Sequence, residues 1–391
     1  MGYISLRMKR FCGFITGFVF FLSGMVKLMD PVGAGLVMDE YFSFLHISFL
    51  SFSAKAFGVF FALTETVIGA ALITGVWRKV TAVCAIVLQA FFTLLTLLLV
   101  IFNPEMDCGC FGEAIHLTHL QTFIKNIILL VLLLAYYIPH DQLGETLKKK
   151  YVSFGLVTVS VIAFTIYSLI YIPLIDFTAY RPGAELEAGA QVNADDMYES
   201  IFTYEKDGIQ ETFTLGHLPD STWTFVSVDT RLKKGYEESL TGLSFYAPQT
   251  GEYQDKLAIE GKVMVISVYN PDMKKDKWTQ IEAFATRASK AGFRVLLLCA
   301  SQEGIPASLQ EQAYISDYKT LISLNRSNGG ITYFYNGQLI RKWASINTPD
   351  ASQLQAIAET GPTEISIEQD NKGSLVFQGF LLYVFAVMLL M

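Results

Sequence analysis

Apolar positions along the chain follow two regimes. Up to about residue 174 they form long runs, roughly 11–29, 57–76, 80–103, 119–138 and 151–174. Each is of the order needed to cross ~30 Å of hydrocarbon as a helix. A shorter run, 376–391, is a sixth candidate. Arg7, Lys9 and Arg10 precede the first run, as in a signal peptide, but no small-x-small cleavage site follows closely. Lys27 and Asp30 mark a membrane exit, so this run reads as a retained helix.

From 175 onward the pattern shortens. Region 175–262 mixes β-like runs with turn signals, such as TYEKDGIQETFTLG, where Asp207-Gly208 suits a hairpin. VMVISVY (263–269) and FRVLLLCA (293–300) read as buried strands flanking a helix over 277–292 that Gly292 stops. A helix is expected near 306–317, a hairpin about Asn336-Gly337, and a closing helix over about 350–360. This order predicts a thioredoxin-like α/β domain over 263–361, its first two strands parallel through a right-handed crossover. A working thioredoxin site would place C-x-x-C where NPDMKKD (270–276) stands, and a proline where NRSNGG (325–330) stands. Neither stretch has them, so the fold is expected without its redox chemistry.

Composition agrees with a membrane protein bearing a soluble part: 52% of residues are hydrophobic and 17% charged, against about 25% charged in soluble domains. The net charge of −7 argues against a nucleic-acid binder, which would show a basic face. Lys and Arg sort the loops. One side holds Arg7, Lys9 and Arg10, then Arg78 and Lys79, then Lys148, Lys149 and Lys150, whereas the other offers Lys55. The positive-inside rule makes the N-terminus cytoplasmic, and an odd number of helices places 175–375 outside, in the periplasm of a bacterium. The expected setting is the inner membrane, with lipid as one partner.

Five cysteines do not make a disulfide framework. Cys108 and Cys110, in DCGCFGE, lie in an outer loop facing an oxidising compartment. A one-residue spacing would close a small, strained and therefore labile bridge suited to dithiol exchange, with a quinone as a candidate acceptor. Two other readings stand beside it. The thiols could simply pack, or they could bind zinc or copper with His116 and His119. The bland view of the histidines is that Thr118 caps the next helix and His119 begins it. Glu65 sits mid-span, where a carboxylate marks a functional site by default, and Lys27 is its candidate partner. Gln89, Lys125 and Asn126 read as contacts between helices. Cys299, at the end of an apolar strand, reads as a packed thiol.

Residues 10–140 resemble the DoxX superfamily and, within it, the MauE-like branch. GFVFFLSGMVKLMDP (17–31) is similar to the family's F-x-x-S-G-x-x-K-x-x-D-P, Glu65 with Gly69 and Gly75 to its E…G…G pattern, and DCGCFG (107–112) to the cysteine signature of the branch. The resemblance implies a four-helix membrane bundle over 1–140, to which 151–174 adds a fifth helix. It also implies a role in disulfide formation in a periplasmic protein, or in quinol-linked redox chemistry. The alternative is a non-enzymatic scaffold or assembly factor that holds a periplasmic client. NRSNGGITYFYNGQLIRKW looks like a stretch common to bacterial proteins that join such a bundle to a periplasmic domain, except that Gly329 stands where proline is usual.

Overall fold

The computed structural model describes residues 6–104, 106–138, 146–186, 198–206, 209–214, 219, 222–232 and 242–390. Helices α1 (Leu6–Met29), α2 (Pro31–Phe44), α3 (Ala54–Thr74) and α4 (Arg78–Phe102) come first, with a 3-10 turn at Ser48–Ser53 before α3. A short strand β1 (Cys110–Glu113) follows, then α5 (His119–Tyr137) and α6 (Lys148–Ile170).

Small residues let α1 and α3 approach closely. A Cβ on Gly24 would lie 2.7 Å from the Ala62 carbonyl oxygen, and one on Gly69 would lie 2.7 Å from that of Gly17. Backbone contact of this kind replaces the hydrophobic drive that helices in lipid lack. It also sets Lys27 and Glu65 opposite one another. α2 lies in what the sequence reads as the loop 30–56. Its start has a local cause: Asp30 accepts from Gly33 N at 2.9 Å as N-cap, and Pro31 opens the helix.

The soluble region begins with β2 (Tyr198–Lys206), β3 (Ile209–Thr214) and β4 (Thr224–Leu232), an antiparallel sheet in the order β3-β2-β4. β2 and β3 pair from Lys206 and Ile209 outward, while Asp207-Gly208 lies outside the described residues. Next come β5 (Phe245–Tyr246), β6 (Lys262–Val268), α7 (Lys275–Lys290), β7 (Arg294–Cys299), α8 (Ala307–Gln310) and β8 (Ala313–Ser316). They are followed by α9 (Tyr318–Leu324), β9 (Gly330–Tyr335), β10 (Gln338–Trp343) and α10 (Ala351–Glu359).

The larger sheet runs β10-β9-β6-β7-β8-β5, with β6, β7 and β8 parallel. β6 is buried on both faces. Met264, Ile266 and Val268 pack with Trp278 and Phe284 of α7, while Val263 and Val265 pack with Leu321 and Leu324 of α9. That explains its unbroken apolar run.

One expectation fails here. The stretch 306–317 is not a helix but the four-residue α8 followed by β8. Ala313 and Ile315 point into the core and β8 extends the parallel sheet beside β7, so tertiary pairing overrides the helical reading. Asp317 then caps α9, accepting from Thr320 N at 2.9 Å.

The last helix, α11 (Pro362–Leu390), is longer than the run 376–391 suggested. Its first turns join the soluble core through Ile365. The remainder lies along α6, where Lys150 Nζ donates to the Met388 carbonyl at 2.9 Å and Phe164 stacks on Phe380 at 4.9 Å. Among the described residues six helices are long and apolar enough to cross a membrane: α1, α3 with its preceding turn, α4, α5, α6 and α11 over Lys372–Leu390. The chain is a multi-pass membrane protein whose spans meet lipid, and α4 and α5 expose Val87, Leu94, Ile128 and Val131 outward.

Candidate functional site

The bundle holds a cavity of about 390 Å³. Its wall is mostly apolar and partly aromatic, with Phe57, Phe61, Phe91 and Phe92 on α3 and α4. Phe61 stacks on Phe91 at 5.9 Å. Polar groups enter at a few points: Ser23, Lys27, Tyr41, Glu65, Gln89, Lys125 and Asn126. An apolar chamber with few convergent polar groups is what a small-molecule site requires.

Lys27 Nζ donates to Glu65 Oε2 at 2.6 Å, as expected from the sequence, and lies 5.8 Å from the Phe92 ring. Inside a bilayer each of these charges alone is costly, and pairing is the usual remedy. Gln89 donates to the Asn126 carbonyl at 3.0 Å, and Asn126 reaches the Thr96 hydroxyl at 3.2 Å, so these polar groups do join α4 to α5.

The cysteine loop forms one end of the same cavity, through Cys108, Gly109 and Cys110. On its other side the cysteine loop packs with Asp107, Gly112, Ile115 and His116 and leaves no room for a water molecule. Both cysteines are thus part of the cavity wall. Both are free; Cys108 is buried and Cys110 is half-buried.

The backbone around them is pinned. The Tyr41 hydroxyl donates to the Cys108 carbonyl at 3.0 Å, and the Ser23 hydroxyl to the Cys110 carbonyl at 2.5 Å. Gly109 has φ 62°, and a side chain there would collide with Val37.

Burial pushes the Cys108 thiol above the ordinary range, and Cys110 and Asp107 add to this. Thr122 and Lys125 of α5 work the other way. The Thr122 hydroxyl is fully buried on the first turn of α5 and has no oxygen or nitrogen partner among the described residues. Cys108 thus lies against the positive end of α5, whose dipole favours a thiolate.

The histidines go elsewhere. His116 Nδ1 lies 3.1 Å from Asp107 Oδ2, and His119 Nε2 lies 2.9 Å from the Met106 carbonyl. Thr118 caps α5 in a capping box with Gln121, and His119 is its first residue. Among the described residues no group of three or more His, Cys, Asp or Glu side chains could hold a metal. Cys299 is buried in the soluble core, and burial pushes its thiol to about 12.

The soluble domain reaches this site through the NRSNGG stretch. Arg326, buried, donates from Nε to Asp30 Oδ2 at 3.0 Å and from its terminal nitrogen to Glu113, the last residue of β1. Burial works against the Arg326 charge, yet Asp30 and Glu113 together raise its pKa above the usual value. Beside it, Lys342 Nζ donates to Asp176 at 2.6 Å, and Lys319 lies 3.7 Å from Glu40. In each of these pairs the cation belongs to the soluble domain, and the anion to the bundle or the chain leaving it. Gly329 takes φ 77° and donates its N–H to the Ser267 carbonyl at 2.8 Å. Proline could do neither.

Ser23, Tyr41, Thr122 and Arg326 were missed as site residues. Ser23 and Asp30 stand inside the first-helix motif and Arg326 inside NRSNGG, so the signal was present but carried no geometry. That motif now has a physical reading. Ser23 holds the cysteine loop, Gly24 admits α3, Lys27 pairs with Glu65, and Asp30 caps α2 while receiving Arg326.

Comparison with known proteins adds two matches. Residues 5–139 match the family model described as methylamine utilisation protein MauE, and residues 198–235 match a domain of unknown function, DUF8463. No curated protein and no solved structure matches the chain. Residues 5–139, which contain the cavity, the Lys27–Glu65 pair and the cysteine loop, form the MauE-like part of this membrane protein.

Proposed function

We propose that the protein exchanges disulfides across the outer boundary of the bacterial inner membrane, through Cys108 and Cys110. One observation carries the reading: both cysteines border the bundle cavity, and Cys110 is only half-buried. Cys110, the less buried thiol, exchanges with a periplasmic protein, and Cys108 faces the interior. Closing the pair removes two electrons and two protons. The cavity's aromatic wall suits a quinone ring as the acceptor, which leaves as quinol. Lys27 and Glu65 are placed to hold a proton near its oxygen. The quinone follows from the cavity's chemistry, and the orientation with the N-terminus cytoplasmic from the distribution of Lys and Arg among the loops. The name of the matched family places that family in methylamine utilisation, and a maturing subunit of such a pathway is one class of client.

The β10-β9-β6-β7 arrangement, with β6 and β7 parallel and β9-β10 a hairpin, supports a thioredoxin-like reading of 263–361. In place of a redox pair this domain brings Arg326 to the loop.

The test is thiol trapping of Cys108 and Cys110 in native membranes, read by mass spectrometry, before and after adding a quinone or a dithiol. Closure on quinone and opening on dithiol is the expected result; a pair that never changes state contradicts the proposal. A second reading, a non-enzymatic scaffold, draws on the raised Cys108 thiol, which resists thiolate formation. A Cys108→Ser, Cys110→Ser double variant separates them: a scaffold retains its function and an exchanger loses it.

A further inference from the structure

We propose that Arg326 is a positioning residue for the cysteine loop, coupling the soluble domain to the redox state of Cys108 and Cys110. This rests on the exchange reading above. Arg326 belongs to the turn between α9 and β9, yet its guanidinium ends between two carboxylates of the bundle. Asp30 lies 2.9 Å from its terminal nitrogen, and Glu113 shares that nitrogen. A further bond, 3.3 Å to the Ile322 carbonyl, ties the group to the preceding helix α9, and its backbone carbonyl accepts from the Tyr269 hydroxyl at 3.1 Å. The side chain is therefore fixed at both ends.

Glu113 links this anchor to the chemistry. It lies in β1, whose first residue is Cys110. The other end of the loop is held at the Cys108 and Cys110 carbonyls by Tyr41 and Ser23. Bridging two cysteines one residue apart must change the torsions between them, because disulfide geometry is specific. With the cysteine carbonyls pinned to α1 and α2, the change is passed along the short strand to Glu113. A loop held by Tyr41 and Ser23 on one side, and through Glu113 by Arg326 on the other, resists that change, so the ion pair opposes bridging. Coupling of this kind is reciprocal. Docking by Arg326 stabilises the dithiol, and closing the disulfide weakens docking. The soluble domain thus senses whether the loop is loaded.

The experiment equilibrates the full-length protein in lipid nanodiscs with oxidised and reduced glutathione over graded ratios. The fraction closed is read by alkylation and mass spectrometry. In the step that is read, two protein thiols become one disulfide while one glutathione disulfide becomes two glutathione thiols. Arg326→Met and Glu113→Gln are expected to shift the equilibrium towards the disulfide by about tenfold, ~30 mV for a two-electron couple. Arg326→Lys keeps the charge and recovers part of the shift. Lys262→Met removes a lysine contact inside the soluble domain, to the Ala358 carbonyl, away from Arg326 and the loop, and leaves the potential where it was. Glu113→Gln carries the test if Arg326→Met does not fold. Equal potentials in wild type and Glu113→Gln overturn the coupling while leaving the exchange reading intact. So does a Lys262→Met shift as large as that of Arg326→Met. A wild-type pair that never closes overturns both.

Discussion

The cysteine loop and the soluble sheet each bury a thiol, with opposite consequences. Cys299 is enclosed by the core of the soluble domain, with Met264, Phe284 and Ile315 in the same cluster, and nothing can reach it. Cys108 is almost as hidden, but it borders a cavity and has a second cysteine one residue away. The soluble region fills both faces of its sheet, whereas the bundle leaves space open and lines it with paired charges. Burial alone therefore does not make a thiol inert. What matters is whether the surrounding volume is filled.

The largest effect expected from breaking this contrast is at Lys27 and Glu65. Lys27→Met or Glu65→Leu alone leaves a buried charge without its partner, at a cost of about 3–5 kcal/mol. Thermal unfolding in detergent should show it. The double variant should regain most of that stability yet close its disulfide more slowly with quinone, which separates the pair's structural role from its chemical one.

At the inert thiol, Cys299→Ser places a hydroxyl in an apolar core and should cost about 1–3 kcal/mol, while the redox state of the loop pair stays as in wild type. Loss of loop closure in that variant would show that Cys299 itself takes part in the exchange.

A smaller effect concerns pH. Burial raises the Cys108 thiol, so its thiolate is scarcer at neutral pH than an ordinary thiol's. Its alkylation rate should keep rising, about tenfold per pH unit, past the ~8.5 at which an ordinary cysteine levels off. A plateau at or below that pH would mean that Thr122 and the α5 terminus outweigh burial. The smallest effect is at the cap beneath the loop. Thr118→Ala removes the bond from Gln121 N and should cost about 1 kcal/mol, with a modest fall in thermal stability.

Much of the bundle was legible because lipid leaves few options. A charge in an apolar run must be paired, so Glu65 and Lys27 could be matched by their depth in the two spans. DCGCFG stood out because polar, glycine-flanked cysteines separate two spans. What pins the loop could not be read, since Ser23 and Tyr41 lie 87 and 67 residues from the carbonyls they hold. Arg326 lies 213 residues from Glu113. No periodicity reports a contact across such separations. The error at 306–317 has a similar origin: QAYIS is too short to declare its period, and its partner β7 decides the outcome.

The central claim is that the loop is served from the cavity. Leu95 of α4 lines that chamber, and Leu95→Trp fills part of it while every polar side chain of the site is kept. The most direct measurement is the rate at which Cys108 and Cys110 close in nanodiscs when supplied with a lipid-soluble quinone or with oxidised glutathione. The account predicts that Leu95→Trp slows closure by quinone at least tenfold and leaves closure by glutathione unchanged. Equal quinone rates in wild type and Leu95→Trp would contradict it.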